Sequence, residues 1–213
     1  MHIYVFGSVC RGEVDTSSDI DMLAIVHGLD TRFNPSDYSI YSYERILELW
    51  QEGNPFAWHL YLEAKLVYAS DTNDFLRIIG KPSVYKNGYS DCKKFYDIFL
   101  SAKKSIEQSS FTETFDLSSV FLGMRNFATC FSLLANNEPN FSRNSARILG
   151  MNSVPINETV YSILEKARVL CTRGAGEMLT TAEISEAKVE LRNIDLWMSE
   201  ILKKIEVRCY ERV

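Results

Sequence analysis

Residues 6–21 read FGSVCRGEVDTSSDID. An apolar run, HIYVF at 2–6, stops at Gly7-Ser8, and Asp19 and Asp21 follow with one residue between them. The run reads as a short strand. Glycine lets the backbone turn sharply and come close to a ligand. A serine hydroxyl beside turn N–H groups is suited to hold a phosphate, and Arg11 adds a charge-assisted contact. IDMLAIV at 20–26 reads as a second strand, so Asp19 and Asp21 share one face. Two carboxylates on one face repel each other unless a cation lies between them. A hard divalent cation such as Mg2+ takes such oxygens together with substrate phosphates. The stretch therefore offers a phosphate cradle beside a metal site, which is the equipment of phosphoryl or nucleotidyl transfer. Ser-Ser-Asp is also ordinary turn chemistry, and the aspartates would then merely open a strand. The Gly-Ser element beside them favours the metal reading.

Bulk properties bound the rest. At 213 residues the chain suits one large domain or two small ones, either able to bury a core. With 46% hydrophobic and 24% charged residues it reads as globular. The net charge of −5, without a dense basic run, disfavours duplex nucleic acid as a partner. A single nucleotide stays compatible, because a metal offsets the charge. Apolar runs such as MLAIV are too short to span a membrane, and the N-terminus reads as strand rather than signal peptide. Cys10, Cys92, Cys130, Cys171 and Cys209 are odd in number, dispersed and never in a CxxC pair. That pattern predicts reduced cytoplasmic thiols and no zinc site of the usual spacing.

Along the chain, YSIYS at 38–42 predicts a third strand, after the turn-rich loop HGLDTRFNPSD. YERILELWQEG predicts a helix ending near Gly53, with Ile46, Leu47 and Trp50 on one side. PFAWHLYLE predicts another helix and KLVYA a fourth strand. Beyond residue 90, Gly and Pro thin out and helical patterns cover 91–109, 116–136, 157–172 and 180–206. In the last, Ile184, Val189, Ile194, Leu196, Trp197, Ile201 and Ile205 form an amphipathic stripe. With the boundary at 82–90, the expectation is an α+β protein: a small mixed-sheet domain over 1–85, then a helical bundle over 90–213.

Gly7-Ser8, Arg11-Gly12 and Ser18-Asp19-Ile20-Asp21 together resemble the signature of the nucleotidyltransferase superfamily. This is the polymerase-β-like fold in its small bacterial form, as in minimal nucleotidyltransferases and antibiotic adenylyltransferases. The match covers roughly the first 70 residues. The resemblance implies that Gly7, Ser8, Arg11 and Ser18 bind the nucleotide phosphates and that Asp19 and Asp21 hold Mg2+. It implies a third carboxylate on the next strand, acting as general base or second-metal ligand. Asp37 is the positional candidate, although NPSD is also local turn chemistry; Glu63 is the fallback. The donor would be an NTP, ATP by default, and the acceptor a small-molecule or protein hydroxyl. The sequence departs from the family by starting in the first strand, where relatives carry a preceding helix. The connection to the third strand is also short.

Other residues carry duller readings beside functional ones. His59 and Glu63 lie one helical turn apart and either pair with each other or share a metal or proton relay. Arg125-Asn126 inside an apolar helix either lines a cleft or makes interhelical hydrogen bonds. Arg143 and Arg147 face phosphates or simply an exposed surface. Helical partners of small nucleotidyltransferases sometimes carry an Arg-x4–6-His nuclease motif. The only histidines here are His2, His27 and His59, so the bundle has none. Two other classes stay open: an antitoxin-like enzyme that adenylylates a partner protein, and a noncatalytic nucleotide-binding module. Oligomerisation is left open too.

Overall fold

The computed structural model describes residues 1–14, 19–28, 30–109, 111–135 and 139–210. The chain divides into two compact units, Met1–Lys86 and Asn87–Val213. The architecture is α+β, with a four-stranded mixed sheet in the first unit and long helices in the second.

In the first unit the elements are β1 (His2–Phe6), α1 (Ser8–Arg11), β2 (Asp21–Val26), β3 (Tyr38–Ser42), α2 (Tyr43–Glu52), α3 (Pro55–Glu63), β4 (Lys65–Ala69) and α4 (Phe75–Ile79). The sheet order is β3-β2-β1-β4. β1 runs antiparallel to β2 and β4, and β2 runs parallel to β3. Two registers position the candidate site: Phe6 lies opposite Asp21, and Met22 lies beside Tyr38. Alternation sends Tyr4, Phe6, Leu23 and Ile25 to one face, where they bury against Ile46, Leu49 and Trp50 of α2, Ala57 and Leu60 of α3, and Leu76 of α4. Ala24, Val26 and Phe33 form a smaller cluster on the other face. α2 begins because the Ser42 hydroxyl accepts from the Arg45 N–H, and α3 because the Asn54 side chain accepts from Phe56 with Pro55 in its first turn. α2 stops at Gly53, whose φ of 65° favours glycine and whose Cβ position is blocked by the Ser83 and Val84 carbonyls. Leu49, not Leu47, completes the buried face of α2; Leu47 points outward.

The second unit holds α5 (Gly88–Gln108), α6 (Glu113–Ala135), α7 (Glu158–Arg173) and α8 (Thr181–Tyr210), with two short 3-10 turns at Ser145–Arg147 and Gly150–Asn152. α6 is the central helix: Leu117, Val120, Met124, Phe127 and Ala128 are fully buried. It approaches α5 closely at Gly123, where a Cβ would lie 2.9 Å from the Phe95 carbonyl oxygen. By length and composition alone α6 is apolar enough to cross a membrane, but its apolar window is 72% buried inside the protein, as suits a bundle core. The inward stripe of α8 is Ala187, Leu191, Ile194, Trp197, Met198, Ile201 and Ile205; Val189 and Leu196 face outward, contrary to the sequence expectation.

Candidate active site

Of the residues singled out in the sequence, the structure brings Gly7 and Asp21 together at the end of β1. Gly7 takes φ 76° and ψ −147°, a conformation open to glycine. It also makes room: a Cβ on Gly7 would sit 2.1 Å from Asp21 Oδ2 and 3.1 Å from Asp21 Cγ. The carboxylate of Asp21 therefore lies over the turn, in the space a side chain would fill. Asp21 is half-buried at the start of β2, and Asp19 is exposed just before it. Ser18 lies outside the described residues. Ser8 is half-buried at the start of α1, with its carbonyl accepting from the Glu13 N–H at 3.0 Å.

Asp37 ends the loop before β3. It directly precedes Tyr38, which pairs with Met22, the residue that follows Asp21. Its side chain is exposed, and Oδ1 accepts from the Ser36 hydroxyl at 3.0 Å while its N–H donates to the Asn34 carbonyl at 3.0 Å. The local turn role and the strand-end position therefore coexist.

Arg11 is drawn into an ionic cluster. Its Nε donates to Glu13 Oε2 at 2.7 Å, and its guanidinium also pairs with Glu63 Oε2. The same Oε2 lies 3.0 Å from His59 Nε2, so the i,i+4 pair on α3 is formed. Burial raises the Glu63 pKa, but the hydrogen bond from His59 and the charges of His59 and Arg11 more than reverse this, and Glu63 ends below the usual carboxylate value. The His59 ring meets the Phe6 ring edge-on at 5.3 Å, which ties α3 to the strand that ends at Gly7. The Cys10 thiol donates to the Val5 carbonyl at 3.3 Å, and burial pushes its pKa up.

Among the described residues, no group of three or more His, Cys, Asp or Glu side chains gathers as a ready metal site. Asp19 and Asp21 supply two hard oxygen donors, and Mg2+ typically takes one or two carboxylates and completes its shell with water and substrate phosphates. The chemistry of this donor pair thus fits the ion.

In the second unit, Arg125 donates to the Phe141 carbonyl at 2.7 Å and the Ser142 carbonyl at 3.3 Å, so it holds the chain that follows α6. Arg143 pairs with Glu165 at 3.3 Å and Arg147 with Glu158 at 3.4 Å. Sequence reasoning found His59–Glu63 by spacing but missed the Arg11–Glu63 pair, whose partners lie far apart in the chain. Compared with models of known protein families and with curated proteins, the chain matches none.

Proposed function

We propose that the protein is a Mg2+-dependent nucleotidyltransferase that moves a nucleoside monophosphate from an NTP, ATP by resemblance, to a hydroxyl acceptor, releasing pyrophosphate. The observation that carries this reading is the seat of the Asp21 carboxylate over Gly7, next to Ser8. On this reading the first unit is the nucleotidyltransferase domain and the helical bundle serves the acceptor or partner. On this reading Gly7 lets the phosphates approach the backbone, Ser8 and Arg11 contact them, and Ser18 is a further phosphate ligand by resemblance. Asp19 and Asp21 would hold Mg2+, which when bound neutralises phosphate charge. Asp37, at the neighbouring strand end, is the third carboxylate. The chain's own contribution is positioning and electrostatics, which is where catalysis of phosphoryl transfer chiefly lies. The exposure of Asp37 and its bond to Ser36 favour one second reading, a module that binds nucleotide without turnover.

The test is pyrophosphate release from each NTP with Mg2+ and a panel of hydroxylated acceptors or cell extract, against the Asp19→Ala/Asp21→Ala variant. Release that disappears in the variant supports the enzyme. NTP binding without release supports the module, and binding that ignores both aspartates sinks the metal site.

A further inference from the structure

Independently of the reading of the first unit, we propose that the helical unit binds an organic ammonium ion: a single protonated amine on an apolar body, with the Asp116 carboxylate as its counter-ion. An open cavity of about 710 Å3 lies between α5 and α6. Its walls are mostly hydrocarbon, from Ile98 and Ala102 on α5 and Phe115 on α6. Asp116 borders the same cavity and is only 5% exposed. The Ser105 hydroxyl donates to its Oδ2 at 2.9 Å, and the Thr112 hydroxyl donates to the same oxygen at 2.8 Å. Oδ1 has no partner among the described residues and is not sealed from solvent. The cavity is therefore where a donor reaches it. A largely buried carboxylate oxygen left bare beside apolar walls is costly, and a donor entering the cavity relieves that cost.

The rest of the lining selects the donor. The Ser90 hydroxyl donates to the Asn87 carbonyl at 2.9 Å, Ser101 to the Asp97 carbonyl at 2.9 Å and Ser119 to the Phe115 carbonyl at 3.0 Å. Each hydroxyl spends its one proton on the backbone and offers a ligand lone pairs only. The lysines are engaged elsewhere: Lys93 Nζ holds both Asp97 oxygens, at 2.9 and 3.1 Å, and Lys94 Nζ lies 6.0 Å over the Phe95 ring. An anion in the cavity would face the Asp116 oxygen and hydroxyl lone pairs. A hard divalent cation takes about six to eight oxygens, whereas no group of three or more His, Cys, Asp or Glu side chains gathers among the described residues. An ammonium supplies charge-assisted N–H donors to Oδ1. Its apolar body covers Phe115, which is 63% exposed, together with Ile98 and Ala102. The positive charges of Lys93 and Lys94 favour one ammonium over a polyamine.

The probe is 2-phenylethylamine, added at neutral pH to the full chain labelled with 15N and followed through amide chemical shifts. The neutral 2-phenylethanol and the anionic phenylacetate carry the same ring and serve as counterparts. The expected result is saturable shifts at Ile98, Ala102, Phe115 and Ser119 with the amine, binding weaker by about tenfold or more with the alcohol, and none with phenylacetate. Asp116→Asn keeps an acceptor oxygen for the Ser105 and Thr112 hydroxyls and removes the charge. It should weaken the amine by about ten- to a hundredfold and change the alcohol little. If that variant does not fold, Ser119→Lys decides: three positions along α6, it sets a tethered ammonium beside Asp116 and should abolish amine binding. The proposal is overturned by amine binding no tighter than that of the alcohol, by shifts confined to other parts of the chain, or by no saturable shift with the amine. A folded Asp116→Asn or Ser119→Lys protein that binds the amine at wild-type affinity also overturns it. Asp116 would then serve only to anchor the start of α6 through Ser105 and Thr112.

Discussion

Gly7→Ala would place a methyl carbon 2.1 Å from Asp21 Oδ2, on a backbone at φ 76° and ψ −147°. Two costs add, and the structure separates them. The backbone cost of holding an L-residue in such a region is about 1–3 kcal/mol. The contact cost comes from the carboxylate, which has to leave its seat. Gly12 gives a lower reference for the first cost: its φ is 75° with ψ 16°, in the left-handed region that L-residues enter more readily than ψ −147°, and nothing lies within 4 Å of its Cβ position. Gly12→Ala should therefore cost about 1 kcal/mol through backbone alone. A double-mutant cycle with Asp21→Ala isolates the second cost, because only the ordinary 3.4 Å approach of the residue 21 Cβ then remains. Gly7→Ala should be less costly in the Asp21→Ala background than in the wild type by about 0.5–3 kcal/mol. Urea unfolding followed by tryptophan fluorescence measures it, in a Trp197→Phe background so that Trp50 and Trp58, both in the first unit, give the signal. Additivity within about 0.3 kcal/mol would show that the carboxylate does not lie over Gly7. The observation on which the functional reading rests would go with it.

Two stability predictions follow from polar groups that the sequence left unread. The Tyr4 hydroxyl, on a residue 1% exposed, donates to Asp74 Oδ1 at 2.9 Å and accepts from the Leu76 N–H at 3.0 Å. Tyr4→Phe should destabilise the first unit by about 1–3 kcal/mol by leaving a buried N–H without its acceptor, and a loss indistinguishable from zero in urea unfolding would refute that. In the second unit, Asp195 accepts from the Tyr96 hydroxyl at 2.6 Å and from Lys103 Nζ at 2.7 Å. Burial raises its pKa, but these two bonds more than offset that, so the folded value lies below the ordinary one. A depressed folded pKa stabilises fully above the unfolded value of about 3.9, and the contribution is lost as pH falls through the folded value. Asp195→Asn should flatten the acid-side decline in stability of the second unit below about pH 4. Urea midpoints measured across that range check it, and an unchanged slope would count against the pairing.

The parts of the fold that were legible are those set by local chemistry. HIYVF, YSIYS and KLVYA are read as strands from alternation and branching, and all three form. Ser42 and Asn54 cap helices as short polar residues do. The errors lie where nearby apolar residues compete for one face. Leu47 and Leu49 are both leucine, and only the arrival of the sheet decides that Leu49 is buried. Val189 and Leu196 fit a helical stripe on paper, but the bundle covers a different arc of α8. FLRII is too short to announce itself as a helix and is held by the Asp74 cap, which accepts from the Arg77 N–H. Arg11 reads as a phosphate ligand because of its neighbours in sequence, whereas its hold on Glu63 spans 52 positions and depends on α3 folding back toward α1.

The direction of the Asp21 carboxylate follows from the core rather than from the site. Leu23 and Ile25 are fully buried on the helix-covered face of β2, and Asp21 lies two and four positions before them. A slip of one residue would turn both side chains into the opposite face and carry Asp21 with them. At about 1.5–3 kcal/mol for burying each such side chain, that slip is strongly opposed. The same burial of Tyr4 and Phe6 on β1 pins the antiparallel register that sets Phe6 opposite Asp21. With the register held from both strands, the first residue past β1 has to lie under the carboxylate. Only glycine leaves the space for it, so the turn residue and the aspartate are linked through the hydrophobic core, not merely through their nearness in the sequence.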